Sequence, residues 1–463
     1  MGIHFEAPPQ PPEPRSAIVH VTEGRGAASG ALTALAALGP QEKYMFGGES
    51  KWVPALKQHS SFAQTHRMLN PLQANGNTFL DPLTSFSIDI KPKESGDLLA
   101  NMYLSTTLPA LPPGYDYTPL VGRALISKVE FMIDGVTIES IDDDWSIIRD
   151  QLFLDADKKL AMYKSISAGQ SEANTVPATS PVVMMIPLDF FFCRRRVHLN
   201  LDQDRTEKPY LPMCAMWRQR LSVRFTFNSA AWITAAPHDV DGNPINIINP
   251  RVLLEEITLS DAERMFYKTR PLKYRVIRVW KEAVQEYQQG AVRMNLTASF
   301  PVSMISWFIR NNLYTSPEST YYKDRYNYGY TTEFLPAAVP VTFFNGVSIK
   351  FLDAIQNATI FLDNKNILSN FPGALYYSYR QPMQHNLSIP TKNIYMYCFG
   401  ENPKDYNNIK YINFADYNSK TSHLDITFNP ALAPQISQGY TMTLYYYGYS
   451  TLTISGGLSE FIP

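Results

Sequence analysis

FPGALYYSYRQPMQHNLSIPTKNIYMYCFGENPKDYNNIKYINFADYNSKTSHLDITFNP, residues 371–430, is the stretch whose reading decides the fold. It is poor in catalytic groups and rich in Tyr, Phe, Ile and turn residues. The runs Asn393–Phe399 and Leu424–Phe428 predict strands, because aromatic and β-branched side chains suit a pleated, half-buried surface. The Tyr-rich run after Pro372-Gly373 reads as a further strand. Pro390, Gly400, Asn402-Pro403 and Asn407-Asn408 turn the backbone between them. The segment reads as β-structure rather than as an active site.

The whole chain agrees with that reading. Its 463 residues are long for one core, so two domains are expected. Aromatics make up 13 % and charged residues only 18 %, a composition suited to sheets and contact surfaces. A formal net charge of −1 argues against a protein that wraps nucleic acid. Cys193, Cys214 and Cys398 are too dispersed for a zinc pattern and too few for a disulfide framework. No run approaches the roughly 20 apolar residues of a membrane span. The start, MGIHFEAPPQPPEPR, lacks an apolar signal core, and Glu6 stands where myristoylation favours Ser or Thr.

Residues 1–50 read as an extended N-terminal arm. Pro8–Pro14 cannot build a core, and Ala27–Gly39 is a small-residue segment able to form a short helix on a partner. Both a plain tail and an assembly arm fit this composition. Strand patterns begin after Lys51, with Phe86–Ile90 and Leu98–Leu108. Lys128–Ile138 reads as a hairpin through Asp134-Gly135. Asp142–Asp144 precede an amphipathic run, Trp145 to Tyr163. Three carboxylates there fit a helix cap and first turn better than a metal site. Val182–Phe192 is strand-like but interrupted by Pro187, and Arg220–Phe227 alternates. Ser260-Asp261-Ala262-Glu263 is a capping box that opens a short helix ending before Pro271. Strands are expected again at Tyr274–Trp280, Val292–Phe300, Ile305–Ile309, Val339–Phe344 and Ala358–Leu362. Thr441–Ile454 reads as a pair of strands around Gly448.

Several words recur in both halves in the same order. VEFMIDGVTI (129–138) matches ATIFLDNKNI (358–367), and RLSVRFTF (220–227) matches HLDITFNP (423–430). GDLLANMYLSTTLP (96–109) corresponds loosely to VRMNLTASFPVSMISWFIR (292–310). A spacing of this size is one β-sandwich with large loops, not a solenoid repeat. The expected fold class is therefore all-β, two tandem jelly-roll sandwiches with short helices in loops. Its boundaries are 1–50 arm, 51–260 first roll, 261–272 connector helix and 273–463 second roll.

These words also resemble those of a known family. GDLLANMYLSTTLPAL, VEFMIDGVTIES with DDWSIIRDQL, IPLDFFFCRRR, RLSVRFTF, FPVSMISWFIRN and the QPMQH to Ile389-Pro390 segment follow one another as in the major capsid proteins of nucleocytoplasmic large DNA viruses. HSSFAQ (59–64) is a weaker match. The resemblance runs over residues 50–455. It implies two eight-stranded jelly rolls per chain, a double jelly roll. It also implies homotrimers of pseudo-hexagonal outline that tile an icosahedral shell around an internal membrane. Implied partners are further copies of the chain, minor capsid and penton proteins, and that membrane, in the virion or a cytoplasmic viral factory. Virophage capsid proteins are similar. The 40-residue Pro/Ala-rich start has no counterpart in the pattern.

No enzyme signature competes. The eight histidines form neither His-x-His nor His-Glu-x-x-His, and no nucleophile elbow or phosphate loop is present. Catalytic residues, metal and cofactor are all expected to be absent. His385 is read as a hydrogen-bonded structural group. Arg194–Arg196 fit phosphate contact, a solvated strand end or ion pairs between subunits. The clusters Tyr321-Tyr322, Tyr326–Tyr330, Tyr376–Tyr379 and Tyr445–Tyr449 fit either interfaces or sheet faces. The triplets at Asn295, Asn357 and Asn386 match the glycosylation signal but lack a secretory route. Jelly rolls also serve as cupins and lectins. Clustered His and Glu ligands for a cupin are missing, so a carbohydrate-binding tandem sandwich is the alternative.

Overall fold

The turn dipeptides organise the structure. In the computed structural model Asp134 and Gly135 both take positive φ (51° and 81°), as do Asp363 and Asn364 (49° and 59°). Two consecutive left-handed residues make the tight turn whose twist matches paired strands. The first turn joins β4 (Ile126–Ile133) to β5 (Val136–Asp142), and the second joins β12 (Ile355–Leu362) to β13 (Lys365–Pro372). The two matched words in the sequence are the same hairpin in two sandwiches.

The structure describes residues 62–462 apart from 72–76, 80–84, 173, 194–209, 288–289, 316–321, 327, 329, 332–342, 345–346, 349–350, 405–409 and 430–438. The expected arm (1–50), Arg194–Arg196 and Tyr321 lie outside the described residues.

The first half adds β1 (Phe62–Leu69), β2 (Ser85–Ile90), β3 (Leu98–Leu108), β6 (Val182–Leu188), β7 (Leu221–Phe227) and β8 (Asn246–Leu259). The second adds β9 (Leu272–Lys281), β10 (Ala291–Asn295), β11 (Pro301–Asn311), β14 (Tyr395–Cys398), β15 (His423–Phe428) and β16 (Tyr440–Ser455). The sheets run β1-β8-β3-β6 and β2-β7-β4-β5, then β9-β16-β11-β14 and β10-β15-β12-β13, every pairing antiparallel. The second order is the first shifted by one complete set of strands. Two sheets with this interleaved order make a jelly roll. The fold is a double jelly roll.

Alternation supplies each core. In the first roll the register aligns Ile88, Val223 and Phe131 across one sheet, and Val252, Leu104 and Ile186 across the other, all buried. In the second, Met294, Leu424 and Ile360 line up opposite the row Leu444, Trp307 and Tyr395. Each such side chain contributes about 1.5–3 kcal/mol when fully buried.

Sheet β9-β16-β11-β14 is buried on both faces. Tyr440, Met442, Leu444 and Tyr446 point into the second roll, whereas Tyr445, Tyr447 and Tyr449 join the core of the first. These tyrosines therefore pack within the chain, where a subunit interface was the other expectation.

Several expectations need correction. The Tyr-rich run after Gly373 is helical, π-wound over Gly373–Arg380 and continued by Gln381–Gln384. A Cβ at Gly373 would lie 2.0 Å from the Ile355 carbonyl oxygen, so glycine lets the chain leave the sheet there. The run after Asp144 forms two helices, α1 (Asp143–Phe153) and α2 (Ala156–Ile166), because Leu154 and Asp155 are extended and Leu154 O accepts from Ser388 Oγ. The strand expected over Val292–Phe300 stops at Asn295, since Thr297 turns to bond Glu282 instead. Pro187 does not interrupt β6, which lies at a sheet edge where no second ladder needs its missing N–H. Residues 441–454 belong to one strand, not a pair. The cap half of the expected capping box forms: Ser260 Oγ accepts from Glu263 N and opens α3 (Asp261–Thr269), which leads into β9.

Candidate functional site: the junction between the rolls

Asp142, Asp143 and Asp144 form a bonded acidic cluster at the start of α1. Asp142 Oδ1 accepts from Trp145 N at 2.8 Å and Asp143 Oδ1 from Asp144 N at 3.0 Å, so the cap reading holds. Their remaining oxygens reach the second roll. Asp142 takes Tyr445 OH (2.7 Å) and Lys281 Nζ (2.7 Å). Asp143 takes Tyr326 OH at 2.6 Å, and Asp144 takes Tyr328 OH at 3.0 Å together with both terminal nitrogens of Arg310. One turn of helix in the first roll thus carries donors from β9, β11, β16 and the segment after β11. A bidentate guanidinium–carboxylate pair in a buried setting fixes relative orientation as well as energy. Burial, then Asp144 and Asp142, push the Asp143 carboxyl up to about 7.

The rest of α1 is clamped on two sides. Trp145 and Phe153 pack against Tyr447 at ring separations of 6.0 and 5.2 Å. Gln151 Oε1 accepts from both N and Oγ1 of Thr391 at 2.9 Å, and Ser388 N donates to Leu152 O at 2.8 Å. The Ile389-Pro390 segment is therefore a strap over α1. On the first-roll side, buried Arg123 bonds Asp150 (2.8 Å) and Asp189 (3.0 Å), and Arg149 also reaches Asp189 (2.8 Å). The functions of Arg123, Arg310, Thr391 and the strap are invisible in a linear reading. The one signal available was a third carboxylate beyond what a cap uses.

A cleft of about 790 Å³ opens beside the junction. Its charges are largely paired: Glu130 holds Arg224 and Lys128, and Asp142 holds Lys281. His385 Nδ1 lies 2.7 Å from the Glu401 carbonyl oxygen, the structural bond expected of it. All three cysteines are buried free thiols. Burial raises each above the usual thiol range, Cys214 to about 11. Among the described residues no three His, Cys, Asp or Glu side chains gather as metal ligands. Asn295 and Asn386 are exposed, whereas Asn357 is half-buried. The arrangement holds the two sandwiches together.

Comparison with known proteins gives a consistent picture. Residues 263–455 match the family described as the large eukaryotic DNA virus major capsid protein, and residues 50–278 match the major capsid protein N-terminus. The major capsid protein of Pyramimonas orientalis virus is 28 % identical over 170 residues. That alignment covers 36 % of this chain and 41 % of the relative, so less than half of the relative's length is matched. The structure superposes on the PBCV-1 virus capsid with a TM-score of 0.67 at 17 % identity, covering 88 % of this chain and 98 % of that one. On the Faustovirus major capsid protein the TM-score is 0.65 at 12 % identity, covering 92 % and 97 %. At these identities the superpositions speak to the fold.

Proposed function

This chain belongs to the major capsid protein family of large eukaryotic DNA viruses, structural and non-enzymatic, and from that premise we propose that three copies close into a capsomer of pseudo-hexagonal outline. The observation that carries the proposal is the doubled roll. Two sandwiches of one strand order, held at a bonded junction, let three chains present six similar positions around an axis. Family membership as a virion capsid component takes the place of the carbohydrate-binding alternative.

The proposal extends to organisation and partners. Residues 1–50 act as an arm, 51–260 and 273–463 as the two rolls, and 261–272 as their connector. Capsomers contact one another laterally in an icosahedral lattice and meet minor capsid and penton proteins and an internal membrane. The arm is the tether to a neighbour or to that inner layer. No direct nucleic-acid contact is proposed, given the net charge of −1. Assembly takes place in the infected cell, in a cytoplasmic viral factory.

Light scattering of the purified full chain, with negative-stain images of the same sample, tests the capsomer. The expected result is a three-chain mass and a hexagonal outline. A single-chain mass at all attainable concentrations overturns it.

A further inference from the structure

The cleft beside the junction is walled by both rolls. One wall is the outer face of β2-β7-β4-β5. There Ser85, Thr226, Lys128 and Asp142 stand in one cross-strand row, and Arg224, Glu130 and Ser140 in the next. The other wall is β9 of the second roll, which contributes Arg278, Trp280 and Lys281. β5 and β9 are the end strands of their sheets, so the cleft follows the seam between the rolls.

Most charges in the cleft are satisfied by a neighbour, and Arg278 is the exception. Its guanidinium lies 4.9 Å from the centre of the Trp280 ring and 5.5 Å from that of Phe461. Trp280 stacks in turn on Phe300 at 3.9 Å, which fixes the platform. A terminal nitrogen of Arg278 donates to the Ile138 carbonyl oxygen, while Nε is buried without a partner. Among the described residues no carboxylate pairs with it. Glu139 attracts it through space but accepts from Phe191 N at 2.6 Å. Burial lowers the Arg278 pKa by more than Glu139 restores, so the guanidinium lacks an anion.

The surroundings add to that deficit. Lys128, Arg224, Arg278 and Lys281 are set against Glu130 and Asp142, because Asp143 keeps its proton up to about 7. The hydroxyls of Ser85, Ser140 and Thr226 bond no other described residue and are open donors. We propose that this cleft binds a polyphosphate chain, free or carried by a nucleotide, with Arg278 as its anchor. A guanidinium presents paired donors in the plane that phosphate oxygens accept. A volume of about 790 Å³ suits several linked phosphate groups rather than one small ion. Lys128 and Arg224 belong to the first roll, Arg278 and Lys281 to the second, so the bound chain ties the rolls across their seam. The inference goes beyond the capsomer reading and does not depend on how many chains associate.

Isothermal titration of tripolyphosphate into the full chain, in low salt below pH 7, tests the site. Saturable binding of one ligand per chain is expected, weakening as NaCl is added. The melting midpoint is expected to rise with ligand, because only the folded seam binds it. Arg278→Gln is expected to weaken binding about 10–100-fold, the worth of a hydrogen bond to a charged group. Glu130→Gln removes the acid that competes for Lys128 and Arg224, and is expected to tighten binding. Should Arg278→Gln lose the wild-type circular dichroism spectrum, Lys128→Gln takes its place and is expected to weaken binding severalfold. Its side chain is 44 % exposed, so the fold does not depend on it. ATP bound as well as tripolyphosphate assigns recognition to the phosphate chain, and ATP bound at least tenfold tighter assigns it to a nucleotide. Absence of saturable binding overturns the proposal. So does wild-type affinity in the folded Arg278→Gln or Lys128→Gln protein, which would mean diffuse surface attraction only.

Discussion

At the scale of single residues, the junction acids set a pH dependence. The Asp143 carboxyl keeps its proton up to about 7, because burial and its neighbours Asp144 and Asp142 disfavour the charge. In an unfolded chain it ionises near 4. Between those values the native state holds a proton that the unfolded state has released. The stability this group contributes is therefore complete below about 4 and is lost as pH rises through about 7. Asp143→Asn keeps an acceptor for Tyr326 and removes the titration. Its melting midpoint is expected to match wild type near pH 4 and to exceed it at pH 8 by a few degrees, about 2–4 °C per kcal/mol. Equal slopes of midpoint against pH in the two proteins would refute the assignment. Arg310 is the opposite case, since its loss strands Asp144 in a buried site. Arg310→Ala is expected to cost about 3–5 kcal/mol in urea denaturation, and combining it with Asp144→Asn to recover part of that.

At the scale of elements, what could be read in advance was whatever local chemistry decides. The Asp134-Gly135 turn, the alternation of β7, the strand-favouring run of β15 and the Ser260 cap act over a few residues, and each stands where it was expected. The misreadings concern elements whose state depends on a partner distant in sequence. Tyr376–Tyr379 has strand-favouring side chains, yet its Tyr377 bonds back to β12 and its neighbours wind helically. Gly448 looked like a break between two strands and is a close approach. A Cβ there would come 2.5 Å from Pro301 O and 3.1 Å from the Phe300 ring, beside the β11 irregularity at Val302 and Met304. Gly448→Val is expected to destabilise by roughly 2 kcal/mol or more through overpacking and a displaced β11. Ser455→Val, at the far end of β16, is the exposed control and is expected to fall within about 0.5 kcal/mol of wild type. The junction itself was almost illegible, because Arg310, Tyr328 and Thr391 meet α1 only after both rolls have formed.

At the scale of the whole molecule, the shared sheet decides how the chain unfolds. One face of β9-β16-β11-β14 completes the second roll and the other completes the core of the first, so neither roll can lose its structure without exposing apolar surface on the other. Coupling of that kind makes two sandwiches behave as one cooperative unit, although their size alone would allow separate transitions. Trp145 is the side chain best placed to test it, being fully buried between α1 and the rings of Tyr445 and Tyr447 at 5.5 and 6.0 Å. Trp145→Ala removes a buried ring from the junction and is expected to cost about 3–5 kcal/mol. Calorimetry of the wild type is expected to show one transition, with a calorimetric enthalpy close to the van't Hoff value. In Trp145→Ala the heat is expected to divide between two transitions, because each sandwich keeps its own inner rows. Limited proteolysis should then cut the variant in the α3 connector at temperatures where the wild type stays intact. Two transitions already present in the wild type would mean that the rolls are joined by the connector alone, and that the bonds around Asp142–Asp144 orient them without coupling their stability.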